Sequence, residues 1–289
     1  MSLRIACLGP EGTVSHEALL TVADAQEVEV MLEPSIHRAV SSVRAGESDF
    51  ALVPLENSLE GGVAETLDEL LAGAGVLPIA GELLHPVRHN LIATTQLPLN
   101  SITAVHSKPE ALAQCSHFLR ERLPGARKVA AASTSDAVRS LSASNEPIAA
   151  IGTHLAADIY GAVILEEDVG RPDNLTRFIW LAAEQSEALP PGCDPAQPMR
   201  TSIIFWGSGT NEPGWLVDCL AEFGDRGVNL TRIESRPRRD GLGSYVFFAD
   251  LEGSADSPQV SDALAGLRTR TDELRLLGSY PSSPRPTAS

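Results

Sequence analysis

The sequence predicts an α/β protein in two parts, a larger module of alternating strands and helices followed by a smaller βαββαβ module. Three observations predict it. Short apolar runs alternate with helix-period segments through about residue 185, the pattern of a parallel-rich sheet covered by helices. Residues 184–199 then hold Pro190, Pro191, Gly192, Pro195 and Pro198, the composition of a linker. The charge is also divided unevenly: residues 200–289 carry 10 basic and 12 acidic side chains, whereas the remainder carries 12 and 26.

Residues 4–8 read as the first strand. Ser15 suits the N-cap of a helix running to about residue 25. Residues 28–32 form the next strand; Ser35 caps a second helix through Arg44, and Gly46 ends it. Residues 50–53 are a short buried strand stopped by Pro54. A helix over about 63–71 precedes apolar strand-like runs at 76–84 and 90–94. A strand at 102–105, a helix over 109–122, a strand at 128–131, a helix over 135–143, a strand at 148–151 and a helix near 154–159 complete the alternation. In such sheets ligands sit beyond the carboxyl ends of strands, next to helix N-termini. After the linker, residues 202–206 read as a strand. A helix over 214–223 follows, with Leu216, Leu220 and Phe223 on one face. Strands at 229–235 and 244–251 are joined by an Arg/Asp/Gly turn suited to a hairpin. A helix over 259–268 and a strand at 273–277 complete the ferredoxin-like order. The Pro/Ser-rich residues 281–289 are expected to be disordered.

The chain has 289 residues and a formal charge of −16, from 22 basic and 38 acidic side chains. Nucleic acid and anionic membrane are poor partners for it, because both need a basic footprint. No apolar run approaches the ~18 residues of a membrane helix. The opening residues lead directly into a strand-like run without the succession of parts a signal peptide needs, so a cytoplasmic protein is expected. Cys7, Cys115, Cys193 and Cys219 form no Cys-x-x-Cys pair and read as reduced thiols. His85 and His89 are four apart, but Pro86 lies between them, so helical metal ligation is not expected.

Four polar segments sit where such a sheet places ligands. Gly9-Pro10-Glu11-Gly12-Thr13-Val14-Ser15 follows the first strand. Its glycines admit close backbone approach and the helix start offers N–H groups to an anion; a tight strand–helix turn needs the same residues. The glycine spacing fits neither a Walker loop nor the dinucleotide fingerprint. Pro54-Leu55-Glu56-Asn57-Ser58-Leu59-Glu60-Gly61-Gly62 follows the buried strand. The Asn57 amide can donate to a carboxylate and accept from a hydroxyl, in a pocket wall or equally in a capped loop. His106-Ser107-Lys108-Pro109-Glu110 opens a helix. Lys108, one of two lysines in the chain, opposes the helix dipole there and points to a compensating anion. Ser107 also suits a plain N-cap, and Gln114, about two turns further on, suits a solvated helix face. Asp173-Asn174-Leu175-Thr176-Arg177-Phe178 precedes an apolar run. Arg177 offers a planar fork for a carboxylate and Thr176 a hydroxyl for a leaving group; the same residues would serve as a polar strand start with Arg177 in a surface ion pair.

Taken together, Gly-Pro-x-Gly-Thr at 9–13, Pro-x-Glu-Asn-Ser at 54–58, Ser-x-Pro at 107–109 and Asn-x-Thr-Arg-Phe at 174–178, in that order, resemble the prephenate dehydratase family. The second module resembles an ACT regulatory domain. Its Gly227-Val228-Asn229-Leu230-Thr231-Arg232-Ile233-Glu234-Ser235-Arg236-Pro237 is similar to the segment that binds phenylalanine in the bacterial dehydratases. The resemblances cover about residues 4–280. They imply a monofunctional bacterial type: a catalytic domain over 1–185, built as two lobes of the type II periplasmic-binding-protein kind with crossings near 80 and 170; a linker over 186–199; a ferredoxin-like ACT domain over 200–280; and the tail 281–289.

The activity so implied is the decarboxylating dehydration of prephenate to phenylpyruvate in phenylalanine biosynthesis, by a carbon–oxygen lyase that needs no metal and no cofactor. Thr176 is implied as the catalytic hydrogen-bond or proton donor near the leaving hydroxyl. Arg177, Asn57, Ser107 and Gln114 are implied as substrate-binding, with Thr13, Ser58 and Phe178 lining the site. Gly214, Leu216, Asn229, Glu234, Ser235, Arg236 and Pro237 are implied as the site of an effector, L-phenylalanine, between ACT domains of a homodimer or homotetramer. Arogenate dehydratase and a non-catalytic amino-acid sensor on the same fold are the alternatives. Two departures from the family pattern stand out. Lys108 and Glu110 replace the usual His and Gln, and Gly214-Trp215-Leu216 replaces Gly-Ala-Leu, so that Trp215 would either fill the effector pocket or point outward to an interface.

Overall fold

In the computed structural model, which describes residues 2–24, 26–72, 77–183, 188–238 and 243–284, the apolar alternation becomes two sheets in the first module and one in the second. The first lobe is built from β1 (Leu3–Leu8), α1 (Val14–Leu20), β2 (Val28–Glu33), α2 (Ile36–Arg44), β3 (Phe50–Asn57) and the short β4 (Gly61–Gly62). After α3 (Ala64–Leu71) the chain runs through β5 (Ile79–Pro86) into the second lobe. That lobe holds β6 (Asn90–Ala93), β7 (Ala104–Ser107), α4 (Pro109–Gln114), α5 (Ser116–Arg122), β8 (Arg127–Ala130), α6 (Thr134–Ser140), β9 (Ile148–Gly152), α7 (His154–Ile159) and β10 (Val163–Glu166). The chain returns through β11 (Leu175–Ala182). The second module follows as β12 (Met199–Trp206), α8 (Trp215–Gly224), β13 (Leu230–Pro237), β14 (Tyr245–Glu252), α9 (Pro258–Arg268) and β15 (Glu273–Pro281).

Contacts divide the described chain into two units, one of residues 2–63 and 84–178, the other of 64–83 and 179–284. One sheet has the order β2-β1-β3-β11-β5, with β4 against the end of β3; of its strands, β5 and β11 belong to the first unit only over 84–86 and 175–178. β1 runs parallel to β2 (Ile5 opposite Val30) and to β3 (Ile5 opposite Phe50). The other sheet has the order β10-β6-β9-β7-β8, with β7 parallel to β8 and β9 and with β6 antiparallel to β9. Two passages, residues 87–89 and 167–174, connect the sheets. They are bonded to each other: the Val87 N–H donates to Asn174 C=O at 2.9 Å and the Val169 N–H to His89 C=O at 2.8 Å. This is the two-lobed α/β class that the sequence leads one to expect.

Near-continuous apolar strands need cover on both faces, and the helices provide it. On one face of the second sheet Leu91, Val105 and Ile151 pack with Leu112, Cys115 and Leu119 of α4 and α5. On the other, Ile92, Ala104 and Ala150 pack with Val138 of α6 and Ala156 of α7. The second unit has the all-antiparallel order β13-β14-β12-β15. Its helices bury Cys219, Phe223, Val260, Leu264 and Leu267 against Ile203, Phe205, Ala249 and Leu251, which is the ferredoxin-like βαββαβ arrangement. α3 belongs to this unit, where Asp68 pairs with Arg236 at 3.2 Å and the Leu71 carbonyl accepts from Arg275 at 3.3 Å.

Several expected boundaries differ. The cap of α1 is Thr13, not Ser15: the Thr13 hydroxyl accepts from His16 N–H, while Ser15 is buried in the first turn, and the helix ends at Leu20 rather than near residue 25. The helix expected over 109–122 is two helices, because Cys115 (φ −93°, ψ 7°) ends α4 and begins α5. Ser107 does not cap it; Lys108 occupies the cap position without a side-chain bond. α6 is capped by Ser133, whose oxygen accepts from Asp136 N–H. β10 was not expected, although Val163-Ile164-Leu165 carries the same apolar signal as its neighbours. Pro281 ends β15 opposite Met199, so it is ordered strand and not tail. The expected hairpin turn at 239–242, residues 184–187 of the linker region and tail residues 285–289 lie outside the described residues. Among the described residues no helix is long and apolar enough to cross a membrane.

Candidate active site

Two strand ends meet at the centre of the candidate site. β3 ends at Asn57 and β11 starts at Leu175, and Ser58 fastens them together: its N–H donates to Leu175 C=O at 2.8 Å and its hydroxyl to Asp173 C=O at 2.8 Å, while Leu175 N–H donates to the hydroxyl at 2.9 Å. The Asn57 side chain then bridges them. Its Oδ1 accepts from the backbone N–H groups of Leu59 and Glu60, at 2.9 and 3.1 Å. Backbone N–H groups can only donate, so the other end of this amide must be the NH₂. That Nδ2 donates to Thr176 Oγ1 at 2.9 Å and to Asn174 Oδ1 at 2.8 Å. The Thr176 hydroxyl therefore acts as acceptor toward Asn57, and its own proton is left to donate elsewhere. Thr176 is 7% exposed, so that donor lies in a largely desolvated place, where a hydrogen bond counts for more than in water.

Arg177 does not share this wall. Successive side chains leave opposite faces of a strand, and the contacts agree: Asn57 meets Thr176 on one face, whereas Glu56 lies 3.9 Å from the buried Arg177 guanidinium on the other. Gln114, from the second lobe, joins the Asn57–Thr176 side. Its Oε1 accepts from Asn174 Nδ2 at 2.8 Å and its Nε2 donates to Glu60 Oε1 at 2.9 Å. Ser107 is fully buried and donates to Ile151 C=O at 2.7 Å; no contact brings it to Thr176. Phe178 is core.

The glycine loop is held by the second lobe. Thr13 donates to Leu8 C=O at 2.8 Å as well as capping α1. The Gly12 N–H donates to His16 Nδ1 at 3.2 Å, and Gly12 C=O accepts from Thr153 Oγ1 at 2.8 Å. Glu11 C=O accepts from the Ser135 and Tyr160 hydroxyls. The loop thus makes the tight turn, with the Gly12 N–H already engaged. Lys108, expected to call for an anion, has Glu110 at 3.7 Å instead. Glu17 and His85 pair at 3.2 Å nearby in the same unit.

Burial pushes the Cys7 and Cys115 thiols up to about 12 and those of Cys193 and Cys219 to about 11, so none is a thiolate nucleophile at neutral pH. Among the described residues no cluster of three or more His, Cys, Asp or Glu could hold a metal. Burial also holds the His16, His89 and His106 imidazoles below their ordinary 6.5. The unfolded chain then binds more protons than the folded one as pH falls below 6.5, so stability is fully present above that value and is lost on acidification through the lowered folded values. The melting temperature is expected to fall between pH 7.5 and pH 5.5, and His89→Phe is expected to shrink that fall, as read by thermal unfolding at both pH values.

The residues implied for an effector are spread over two places in the second unit. Gly214 (φ +91°) precedes α8 and Leu216 packs on the core. Asn229 is exposed before β13 and accepts through its carbonyl from Glu252 N–H. Along β13, Ser235 and Pro237 are exposed, whereas Glu234 pairs with Arg232 and Arg236 pairs with Asp68. Trp215 turns inward: its indole N–H donates to Arg270 C=O at 2.8 Å, and its ring lies 6.3 Å from that of Phe205 and 6.0 Å from that of Phe247. Sequence reading missed Asn174 and Glu60 as partners of the site, and His89, whose Nε2 lies 2.8 Å from Gln114 Oε1. Asn174 and Glu60 lay inside motifs already singled out; His89 carried no signal beyond its type.

Fold and site together define a two-lobed α/β protein with a polar donor site at paired strand ends, joined to a small ferredoxin-like domain. Comparison with known proteins makes this specific. The prephenate dehydratase family profile matches residues 5–186 and the ACT domain profile residues 208–269. A prephenate dehydratase from Amycolatopsis methanolica is 40% identical over 96% of this chain and 88% of its own. The crystal structure of prephenate dehydratase from Arthrobacter aurescens in complex with L-Phe is 37% identical, covers 96% of this chain and 90% of that one, and superposes with a TM-score of 0.85. A structure described as a novel type of quorum quenching acylase, GqqA, is 29% identical over 97% of this chain and 98% of that one, with a TM-score of 0.83. The chain belongs to the prephenate dehydratase family, a family of carbon–oxygen lyases, and carries an ACT domain after the family region.

Proposed function

We propose that the chain converts prephenate to phenylpyruvate with Thr176 as the donor to the leaving hydroxyl. The ring carboxylate departs as carbon dioxide, and the electron pair of its carbon–carbon bond enters the ring as a double bond. The ring C–O bond breaks with its pair on oxygen, which leaves as hydroxide and takes a proton from solvent to become water. The observation that carries the reading is the Asn57 amide donating to Thr176 Oγ1 at 2.9 Å, which frees the threonine proton for the departing oxygen. A threonine is a weak general acid, so its part is a hydrogen bond that strengthens as negative charge grows on that oxygen. Asn57 sets this direction, and Ser58 and Thr13 hold the strand ends and the glycine turn. Ser107 fixes the start of the Lys108–Pro109 corner.

Arg177 is assigned a substrate carboxylate, which it reaches from the face opposite Thr176 by leaving Glu56, 3.9 Å away, and turning round the start of β11. That role is one of binding. Arg177→Ala is expected to raise KM for prephenate by about tenfold or more, the size of a lost charge-assisted contact of ~1.5–3 kcal/mol, with kcat changed less. Steady-state kinetics on the folded variant check it, and an unchanged KM removes Arg177 from substrate binding.

The catalytic part is assigned to residues 1–185, the linker to 186–199 and the regulatory part to 200–280. L-phenylalanine is assigned as the effector, acting at Gly214, Leu216, Asn229 and Glu234–Pro237 in a cytoplasmic homodimer or homotetramer. The ACT profile at 208–269 and the L-Phe complex of the Arthrobacter aurescens relative support the effector. The similarity to a quorum quenching acylase shows why turnover must be measured, since a fold hosts more than one chemistry. Purified protein is given prephenate and, in parallel, arogenate, with and without L-phenylalanine. Phenylpyruvate release from prephenate is the expected result. Preference for arogenate moves the substrate assignment, and binding without turnover of either makes the chain a sensor.

A further inference from the structure

The Asn57–Thr176 contact is one end of a longer chain of side-chain hydrogen bonds whose direction is fixed at both ends. At the Asn57 end, two backbone N–H groups force the amide to present its NH₂ to Asn174 and Thr176. At the far end, Gln114 Nε2 donates to Glu60 Oε1 at 2.9 Å, a carboxylate oxygen that accepts. Gln114 must therefore present Oε1 to Asn174 Nδ2 at 2.8 Å, and Asn174 must present Oδ1 to Asn57 at 2.8 Å. The two requirements agree, so every amide in the series points the same way.

His89 completes the arrangement. Its Nε2 lies 2.8 Å from the same Gln114 Oε1 and must be the N–H; its Nδ1 is buried with no hydrogen-bond partner among the described residues. The imidazole is only 5% exposed and Asn174 only 2%. Both sit on the passages between the sheets, residues 87–89 and 167–174, and both hold Gln114, which comes from α4 in the second lobe. Gln114 has both ends of its amide engaged within the protein, so in this arrangement it acts through Asn174 and not as a ligand itself.

From this juxtaposition we infer that Asn174 and His89 are positioning residues for the reaction. They lock Gln114 against Asn57 so that Thr176 is held as an outward donor. The inference rests on the reading of Thr176 given above. It separates these residues from those that touch substrate: breaking the chain leaves prephenate binding intact and misaims the donor.

The experiment is steady-state kinetics with prephenate on Asn174→Ala, His89→Phe and His89→Gln in the full chain, with Asn174→Ala also made in the Thr176→Ala background. Displacing a catalytic group by about 1 Å costs on the order of 10²-fold. Asn174→Ala is expected to lower kcat by about 10–100-fold with KM within about threefold. His89→Phe, which loses the donor, is expected to lower kcat, and His89→Gln, which keeps one, to restore much of it. In the Thr176→Ala background Asn174→Ala is expected to cost nothing further, because the group it aims is gone. Wild-type kcat in both Asn174→Ala and His89→Phe overturns the inference. So does an equal loss from Asn174→Ala in the two backgrounds, which marks a merely structural role. Should Asn174→Ala not fold, the His89 pair decides: equal kcat for Phe and Gln overturns it. If Thr176→Ala itself keeps full activity, the Thr176 reading falls and this inference with it. If Thr176→Ala is inactive while the Asn174 and His89 variants are normal, only the inference falls.

Discussion

Thr176→Ala is expected to lower kcat for prephenate by about 10²–10⁴-fold, the range for loss of a positioned acid or an oxyanion donor, while the fold survives. The fold should survive because the hydroxyl contributes one bond at the strand end, and Asn57 keeps four other partners: Asn174, the Leu175 carbonyl, Leu59 and Glu60. Removing Oγ leaves the Asn57 NH₂ with one acceptor fewer, a cost of about 1 kcal/mol. Thr176→Ser keeps the donor and loses only the methyl group, so its kcat is expected to stay within about tenfold of wild type, reduced by the extra rotamer freedom of an unbranched side chain. Steady-state kinetics beside a melting curve separate the two effects. Wild-type turnover in Thr176→Ala removes the residue from the chemistry, and equal, large losses in the Ala and Ser variants point to the strand end's shape and away from the proton.

How much of this was legible in the sequence depends on the kind of information each residue carries. The apolar start of β3, residues 50–53, announces itself because burial on both faces demands an unbroken apolar run, but its expected end at Pro54 was wrong: the strand passes through Pro54 and runs on to Asn57. The ferredoxin-like order of the second module follows from element order alone. Motif residues Asn57, Gln114 and Thr176 could be nominated by resemblance, but which of them touch was not legible. Asn57 and Thr176 are 119 residues apart, and only sheet pairing brings them together. The alternation of a strand could have warned that Thr176 and Arg177 leave opposite faces. The cap at Thr13 instead of Ser15 was ambiguous locally, since both carry a hydroxyl; Ser15 is buried once α1 packs on β1 and β3. His89 was invisible as a partner because nothing in its own neighbourhood marks it. Its meaning comes from the crossing it sits on.

Gly12→Ala is expected to be among the most damaging single changes in the first unit, and its cost has two separable parts. Gly12 has φ +77°, in the left-handed region that a side chain makes costly by roughly 1–2 kcal/mol. A Cβ there would also lie 2.9 Å from both the Cα and the Cβ of Ala156 in α7, and 3.2 Å from the Ser135 hydroxyl. Backbone atoms of a helix cannot turn aside as a flexible side chain can, so the lobes must shift, with an overpacking cost of about 1–3 kcal/mol more. Gly46 provides the control: it has φ +70°, but an added methyl group there would meet nothing within 4 Å, so Gly46→Ala carries the conformational part alone. The difference between the two variants in unfolding free energy then isolates the contact between the loop and α7. Gly12→Ala is expected to be about 2–5 kcal/mol less stable than wild type and Gly46→Ala about 1–2. Gly12→Ala should lose turnover as well, because the Thr153 bond to Gly12 C=O and the Ser135 and Tyr160 bonds to Glu11 C=O hold the two lobes that supply Asn57 and Gln114. Equal losses of stability in the two variants would mean that the turn alone matters and that the lobe contact is incidental. A larger loss at Gly12 with kcat falling in step would tie the close approach of loop and helix to the geometry of the donor.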